Sequence, residues 1–138
     1  MNQTLAIIKP DATGNGNAGR IIAHIEATGF QIRALRMVTL TEAQARAFYD
    51  VHRERPFYES LVAFMTSGPC IAMVLEAESA IPRYRKAIGA TDPAEAAPGT
   101  VRQLYAESRE RNAVHGSDSA ENARREIAFF FSESERIG

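Results

Sequence analysis

The chain has 138 residues, 45% of them hydrophobic and 24% charged, with 16 basic against 17 acidic side chains for a formal charge of −1. These values belong to one globular domain over residues 1–138 and exclude disordered, collagen-like and low-complexity chains. So even a balance leaves no broad footprint for duplex nucleic acid or an anionic membrane, although a few arginines could still serve a small anion.

Thr4 to Ile8 is a short apolar run closed by Lys9-Pro10, and Pro10 biases Lys9 away from helix, so a strand ends there. Asp11 to Gly19 reads as a polar, glycine-bearing surface loop. Arg20 to Thr28 carries Ile21, Ile22 and Ile25 as one helical stripe, with Gly29 as its terminator. Phe30 to Leu40 reads as a long strand. Thr41 and Gln44 fit a capping box, and Ala45, Phe48, Tyr49 and His52 behind it share one helical face. Pro56 breaks that helix, and Tyr58 to Met65 forms the next, with Leu61, Phe64 and Met65 on one side.

Thr66 to Pro69 is a turn, and Cys70 to Leu75 is an unbroken apolar run suited to a strand buried on both faces. The lone Cys70 reads as a small buried hydrophobe. Ser79 is placed to cap a helix running to Arg85 or Lys86. Gly89 to Arg102, with two prolines and two glycines, reads as a long surface loop with one helical turn. Ala113-Val114 forms a very short strand. Asp118 or Ser119 caps a last helix through Phe131, with Ala123, Ile127, Phe130 and Phe131 inward, before a short polar tail. Two βαβ-like halves around four strands predict an α+β, ferredoxin-like βαββαβ architecture, an antiparallel sheet covered by helices. No run approaches the ~20 apolar residues that cross a bilayer. The amino-terminal segment lacks the basic start of a signal peptide. A cytoplasmic protein is expected.

Gly14-x-Gly16-x-x-Gly19 matches a dinucleotide fingerprint in letters only. Lys9-Pro10-Asp11 separates the strand from the glycines, and no acid closes the second strand to take a ribose hydroxyl. There is no P-loop and no set of residues with zinc spacing. His24 and His52 read as surface or partly packed residues on helices.

Asn112 to Ser119, NAVHGSDS, is more informative. His115 follows a strand and precedes a helix start, beside free backbone N–H groups that attract an anion. A neutral imidazole is a competent nucleophile near pH 7, since its unperturbed pKa is ~6.5. Glu126 on the following helix can fold back onto one ring nitrogen and leave the other bare. Arg85 and Arg102 flank the long loop with Thr91 between them, and guanidinium forks suit phosphate.

The ordered series IIKPDA, ERPF, FMTSGP, MVLE, GATDPAEAAPGT, NAVHGSDS and EIAFFF resembles the nucleoside diphosphate kinase family from Thr4 to Phe131. The resemblance implies transfer of a γ-phosphoryl group from a nucleoside triphosphate, chiefly ATP, to nucleoside or deoxynucleoside diphosphates by a ping-pong route. His115 then matches the nucleophile that becomes phosphohistidine, and Ser117 with Glu126 the pair that orients it. Lys9, Tyr49, Arg85, Thr91, Arg102 and Asn112 match positions around phosphates, sugar hydroxyls and nucleophile. Phe57 matches the aromatic on which the base stacks, and Leu61 its apolar neighbour. The resemblance implies Mg²⁺ held mainly by the nucleotide's own phosphates, with Asp118 at most an indirect contact. It also implies dimers that assemble into tetramers or hexamers, with Thr91 to Arg111 resembling the loop that meets neighbouring subunits. Ala77, Asp92, Cys70, Tyr58 and the loop at 14–19 depart from the usual pattern, none at a position that carries chemistry. The competing reading is a catalytically weak nucleotide-binding or regulatory module on the same fold.

Overall fold

A computed structural model of the chain describes residues 2–137. Strands β1 (Gln3–Ile8), β2 (Gln31–Val38), β3 (Cys70–Glu76) and β4 (Val114–Gly116) form one sheet in the order β2-β3-β1-β4. Every pairing is antiparallel: β1 with β3, β1 with β4, and β2 with β3. This is the strand order of the expected split βαβ fold. The β2–β3 ladder carries an irregularity between Ile32 and Ala34.

Alternation along the central strands sorts side chains onto two cores. Leu5, Ile7, Cys70, Ala72 and Val74 face one core, which α3 (Glu42–Phe48), α4 (Tyr58–Met65) and α7 (Ala120–Phe130) cover. Ala6, Ile8, Ile71, Met73 and Leu75 face the other, under α2 (Ala18–Ala27) and α5 (Ala80–Ile88). Cys70 to Leu75 is buried on both faces, which explains its unbroken apolar run. Burial pushes the Cys70 thiol up to about 11, so it packs as a small hydrophobe and is not a reactive thiolate.

The helix signals were mostly legible. Thr41 and Gln44 make the full reciprocal capping box, and Ser119, not Asp118, caps α7 by accepting from Asn122 N at 3.1 Å. Gly29 follows α2 at φ +98, a conformation that favours glycine.

Four local expectations are corrected. Residues 11–19 are not a continuous loop, because Pro10 starts a short helix α1 (Pro10–Gly14) with Asp11 in its first turn. Ser79 holds the cap position of α5 at φ 53, yet its side chain makes no capping bond. The helix after Thr41 ends at Phe48, and His52 lies in a separate 3-10 turn, Asp50–His52. The 89–102 segment is not wholly at the surface: Thr100, Val101 and Arg102 are buried as α6 (Val101–Tyr105) begins.

Candidate active site

The register of β4 decides what the site can be. His115 pairs with Ile7, and therefore points to the α3/α7 side of the sheet, while Gly116 points to the α5 side. A Cβ on Gly116 would lie 2.8 Å from the Tyr84 ring, so only glycine lets β4 sit this close to α5. The His115 ring meets Phe48 edge-on at 5.5 Å and Tyr49 at 6.3 Å.

A relay of hydrogen bonds fixes the imidazole. Its Nε2 lies 2.7 Å from Glu126 Oε1. The same oxygen accepts from Ser117 Oγ at 2.9 Å, and Ser117 Oγ accepts from Leu5 N at 3.2 Å. A carboxylate that already takes the serine proton can only accept from the ring, so Nε2 carries the hydrogen. The lone pair is left on Nδ1. Glu126 is 5% exposed and Ser117 fully buried, so the orienting pair lies behind the imidazole, out of solvent.

His115 opens into a cleft of about 570 Å³ lined also by Lys9, Phe57, Leu61, Arg85, Thr91, Arg102, Asn112 and Asp118. The fold therefore brings every candidate residue to one cleft except Ser117, which lies buried behind it. Lys9, at the end of β1, donates from Nζ to Asn112 Oδ1 at 2.8 Å. Burial, with Arg102 nearby, lowers the Lys9 ammonium to about 8. Arg102 donates to the carbonyls of Gly89 at 3.0 Å and Val114 at 2.9 Å, and its buried Nε has no partner among the described residues. Its guanidinium thus ties the end of α5 to β4 while presenting charge to the cleft. Burial lowers Arg102 to about 10, still well above neutrality.

Tyr49 is buried with its hydroxyl unpaired among the described residues, and burial holds it firmly as the neutral phenol. Phe57 stands at the mouth, 48% exposed, its ring 5.4 Å from that of His52. A large aromatic left this open at a polar cleft offers a flat apolar face.

Several cleft residues escaped the sequence reading. His52 stacks beside Tyr49 at 6.5 Å and lines the cleft, a placement hinted at by its spacing of three from Tyr49. Phe48 and Arg125 form the wall beside His115, with the Arg125 guanidinium 5.8 Å above the Phe48 ring. Arg109 and Glu110 form part of the rim, where Glu110 accepts from Ser60 Oγ of α4. They lie in a charged run, Glu107 to Arg111, that gives no periodic signal.

The chain's residues 2–136 match the family profile described as nucleoside diphosphate kinase. A protein of that name from Anaplasma phagocytophilum is 57% identical over 133 residues, covering 96% of this chain and 95% of that protein. The structure of the Aquifex aeolicus nucleoside diphosphate kinase superposes with a TM-score of 0.97 at 48% identity, covering 99% of both chains. That of the Halobacterium salinarum nucleoside diphosphate kinase, in complex with CDP, superposes at 0.94 with 36% identity, covering 100% of this chain and 93% of the other.

Proposed function

The chain belongs to the nucleoside diphosphate kinase family and transfers phosphoryl groups between nucleotides; on that footing we propose that His115 is the group that carries the phosphoryl in transit. The observation that supports this reading is the Glu126 bond to Nε2 at 2.7 Å, which puts the Nδ1 lone pair at the bottom of a cleft ringed by Lys9, Arg85 and Arg102.

In the first half-reaction Nδ1 attacks the γ-phosphorus of a nucleoside triphosphate. The N–P bond forms, the bond to the bridging oxygen breaks, and the nucleoside diphosphate leaves with that electron pair. In the second, a β-phosphate oxygen of the acceptor diphosphate attacks the same phosphorus, and Nδ1 departs with its lone pair restored. One site serves donor and acceptor in turn because both present the same diphosphate and sugar. The transition state is loose, so placement and neutralisation of charge carry most of the catalysis. Lys9, Arg85 and Arg102 supply that charge, with Thr91 and Asn112 as polar contacts to phosphate or sugar. Tyr49 packs the imidazole edge.

Among the described residues no group of three or more His, Cys, Asp or Glu is placed to hold a metal ion. The cleft does carry Asp118, kept anionic by the Asn122 amide at 2.7 Å. That donor set fits Mg²⁺ arriving on the nucleotide's phosphates, with Asp118 as an outer contact. Such an ion, when bound, neutralises phosphate charge. No described helix is long and apolar enough to cross a membrane, and the cytoplasm is the compartment this reading assigns. Self-association as dimers, built into a tetramer or hexamer, belongs to the same reading. Edge strand β2 with exposed Leu35 and Met37, and exposed Leu104 in the 91–111 segment, are the apolar surface available to it.

Two tests follow. Incubation with ATP labelled at the γ-position is expected to give a base-stable, acid-labile phosphoenzyme that passes its label to dTDP or GDP. Nucleotide binding with neither adduct nor exchange would leave only the weak binding module.

The Phe57 ring is expected to hold the base by stacking. Stacking is worth ~1–3 kcal/mol and accepts any base, since each has a π-face. Phe57→Ala should therefore raise KM by about five- to 150-fold for all four diphosphates, with kcat little changed, because the contact is equal in ground and transition states. Steady-state kinetics across the bases checks this.

Lys9 predicts the alkaline limb of the pH profile. Its ammonium ionises at about 8 in the free enzyme, so positive charge is present below that pH and lost above it. The kcat/KM for nucleotide should decline as pH rises through about 8, by up to about tenfold per unit beyond it. Bound phosphate favours the charged amine, so the kcat limb should lie at higher pH.

A further inference from the structure

We infer that Asp11 is a positioning residue for the reaction: its buried carboxylate holds a strained turn at Ala113, from which Asn112 and His115 are both suspended. The inference rests on the reading of His115 as the phosphoryl carrier.

Ala113 has φ +73, in the left-handed region that a Cβ disfavours. Val114 N donates to Asn112 O at 2.8 Å, closing a three-residue turn with Ala113 at its apex. This is the rarer, positive-φ form of the γ-turn. An alanine stays there only if its surroundings over-determine it.

Two bonds from the segment after β1 do this. Lys9 N donates to the Ala113 carbonyl at 2.8 Å, and Asp11 Oδ2 accepts from Ala113 N at 3.0 Å. Both peptide groups of the apex residue are thereby held by residues 9–11. Ala113 is fully buried, so no solvent would replace the Asp11 bond.

Asp11 is itself 2% exposed, and its Oδ1 is buried with no partner among the described residues. A buried, half-satisfied carboxylate is a costly way to fill space. Ala113 N gives it the most favourable of its backbone contacts, ahead of the N–H groups of Ala12 and of Asp11 itself at the start of α1.

The position of that turn gives the bond its consequence. On one side Asn112 accepts from Lys9 Nζ. On the other, β4 is only three residues long and pairs with β1 through Ile8–Val114 and Ile7–His115. With only three residue pairs to β1, the path of β4 depends on the turn that leads into it. If Ala113 relaxed to negative φ, the chain would leave the turn by a different path. His115 would then shift against Glu126, and Asn112 against Lys9. A displacement of ~1 Å at a reacting group costs roughly a hundredfold in rate.

The test compares Asp11→Ala, Asp11→Asn and the double variant Asp11→Ala with Ala113→Gly, by the pre-steady-state rate at which ATP phosphorylates the enzyme. Asp11→Ala should slow phosphorylation about a hundredfold while nucleotide KM moves much less. Asp11→Asn keeps an oxygen that can accept from Ala113 N and should stay within about threefold of wild type. In the double variant glycine adopts the positive φ without a Cβ, and at least about tenfold of the lost rate should return.

The inference is overturned if folded Asp11→Ala phosphorylates at the wild-type rate, if the glycine returns nothing, or if Asp11→Asn falls as far as Asp11→Ala. Should Asp11→Ala not fold, the double variant takes its place: a folded protein phosphorylated within about tenfold of wild type supports the turn bond, and a deep loss in it or in Asp11→Asn refutes it. If wild type itself forms no phosphohistidine, it is the role of His115 that fails.

Discussion

His115→Ala is expected to lose the exchange reaction by at least about four orders of magnitude and to form no phosphoenzyme at all. On the proposed route both half-reactions pass through the same nitrogen, so no partial route remains in the cleft. Lys9, Arg85, Arg102 and Phe57 are untouched by the change, and nucleotide binding should survive it. The variant should therefore bind ADP with near wild-type affinity, by calorimetry, while labelled ATP leaves no adduct. It should also fold normally. The His115 side chain is only partly buried, and truncating it removes edge contacts to Phe48 and Tyr49 but no buried hydrogen-bond donor to the backbone. The result contrary to this reading is retained exchange with an adduct of the same acid lability, which would place the phosphoryl on another residue.

The contrast between His115 and Asp11 shows what was legible before the structure. His115 stands in a local pattern, a strand end followed by a helix cap, and Glu126 comes eleven positions later on that helix. Local order allowed the two to be joined, and the family resemblance matched them as nucleophile and orienting partner. β3 was equally plain, because a strand buried on both faces must be apolar throughout. The Asp11–Ala113 bond spans 102 positions and involves a residue type with no signal of its own. Nothing in an alanine's neighbours announces a positive φ. The same holds for Arg102. Its type suggested phosphate, but the structure shows two of its donors on the Gly89 and Val114 carbonyls, which only the packing of α5 against β4 brings together. The helix at Pro10–Gly14 was hidden by its closing Gly14 and by the Asn15, Gly16, Asn17 and Gly19 that follow it. Its start is set by Pro10 at the first position, with the Thr13 hydroxyl bonded to the Pro10 and Pro69 carbonyls.

Glu126→Gln is expected to cost about two to three orders of magnitude in kcat, with the fold intact. The substitution preserves shape and removes charge, so it isolates what the carboxylate does. In the wild-type protein one oxygen accepts from both His115 Nε2 at 2.7 Å and Ser117 Oγ at 2.9 Å. A carboxamide can present its oxygen to that pair, in which case the geometry holds but the charge is gone. It can instead present its NH₂, which forces the ring proton onto Nδ1 and blocks the lone pair that attacks. Either arrangement is harmful. In the proposed transfer the ring gains positive charge as Nδ1 bonds to phosphorus, and a carboxylate 5% exposed would stabilise that charge in a site of low dielectric. The amide offers only a dipole. Ser117→Ala should behave differently, because it leaves the carboxylate on the ring. Its rate should fall only about tenfold, while stability drops by ~1–3 kcal/mol because Leu5 N loses the serine oxygen it donates to. Single-turnover phosphorylation and thermal melts on the two variants separate the effects. A Glu126→Gln enzyme with wild-type kcat would mean that packing alone, through Phe48 and Tyr49, holds the imidazole in its reactive tautomer and orientation.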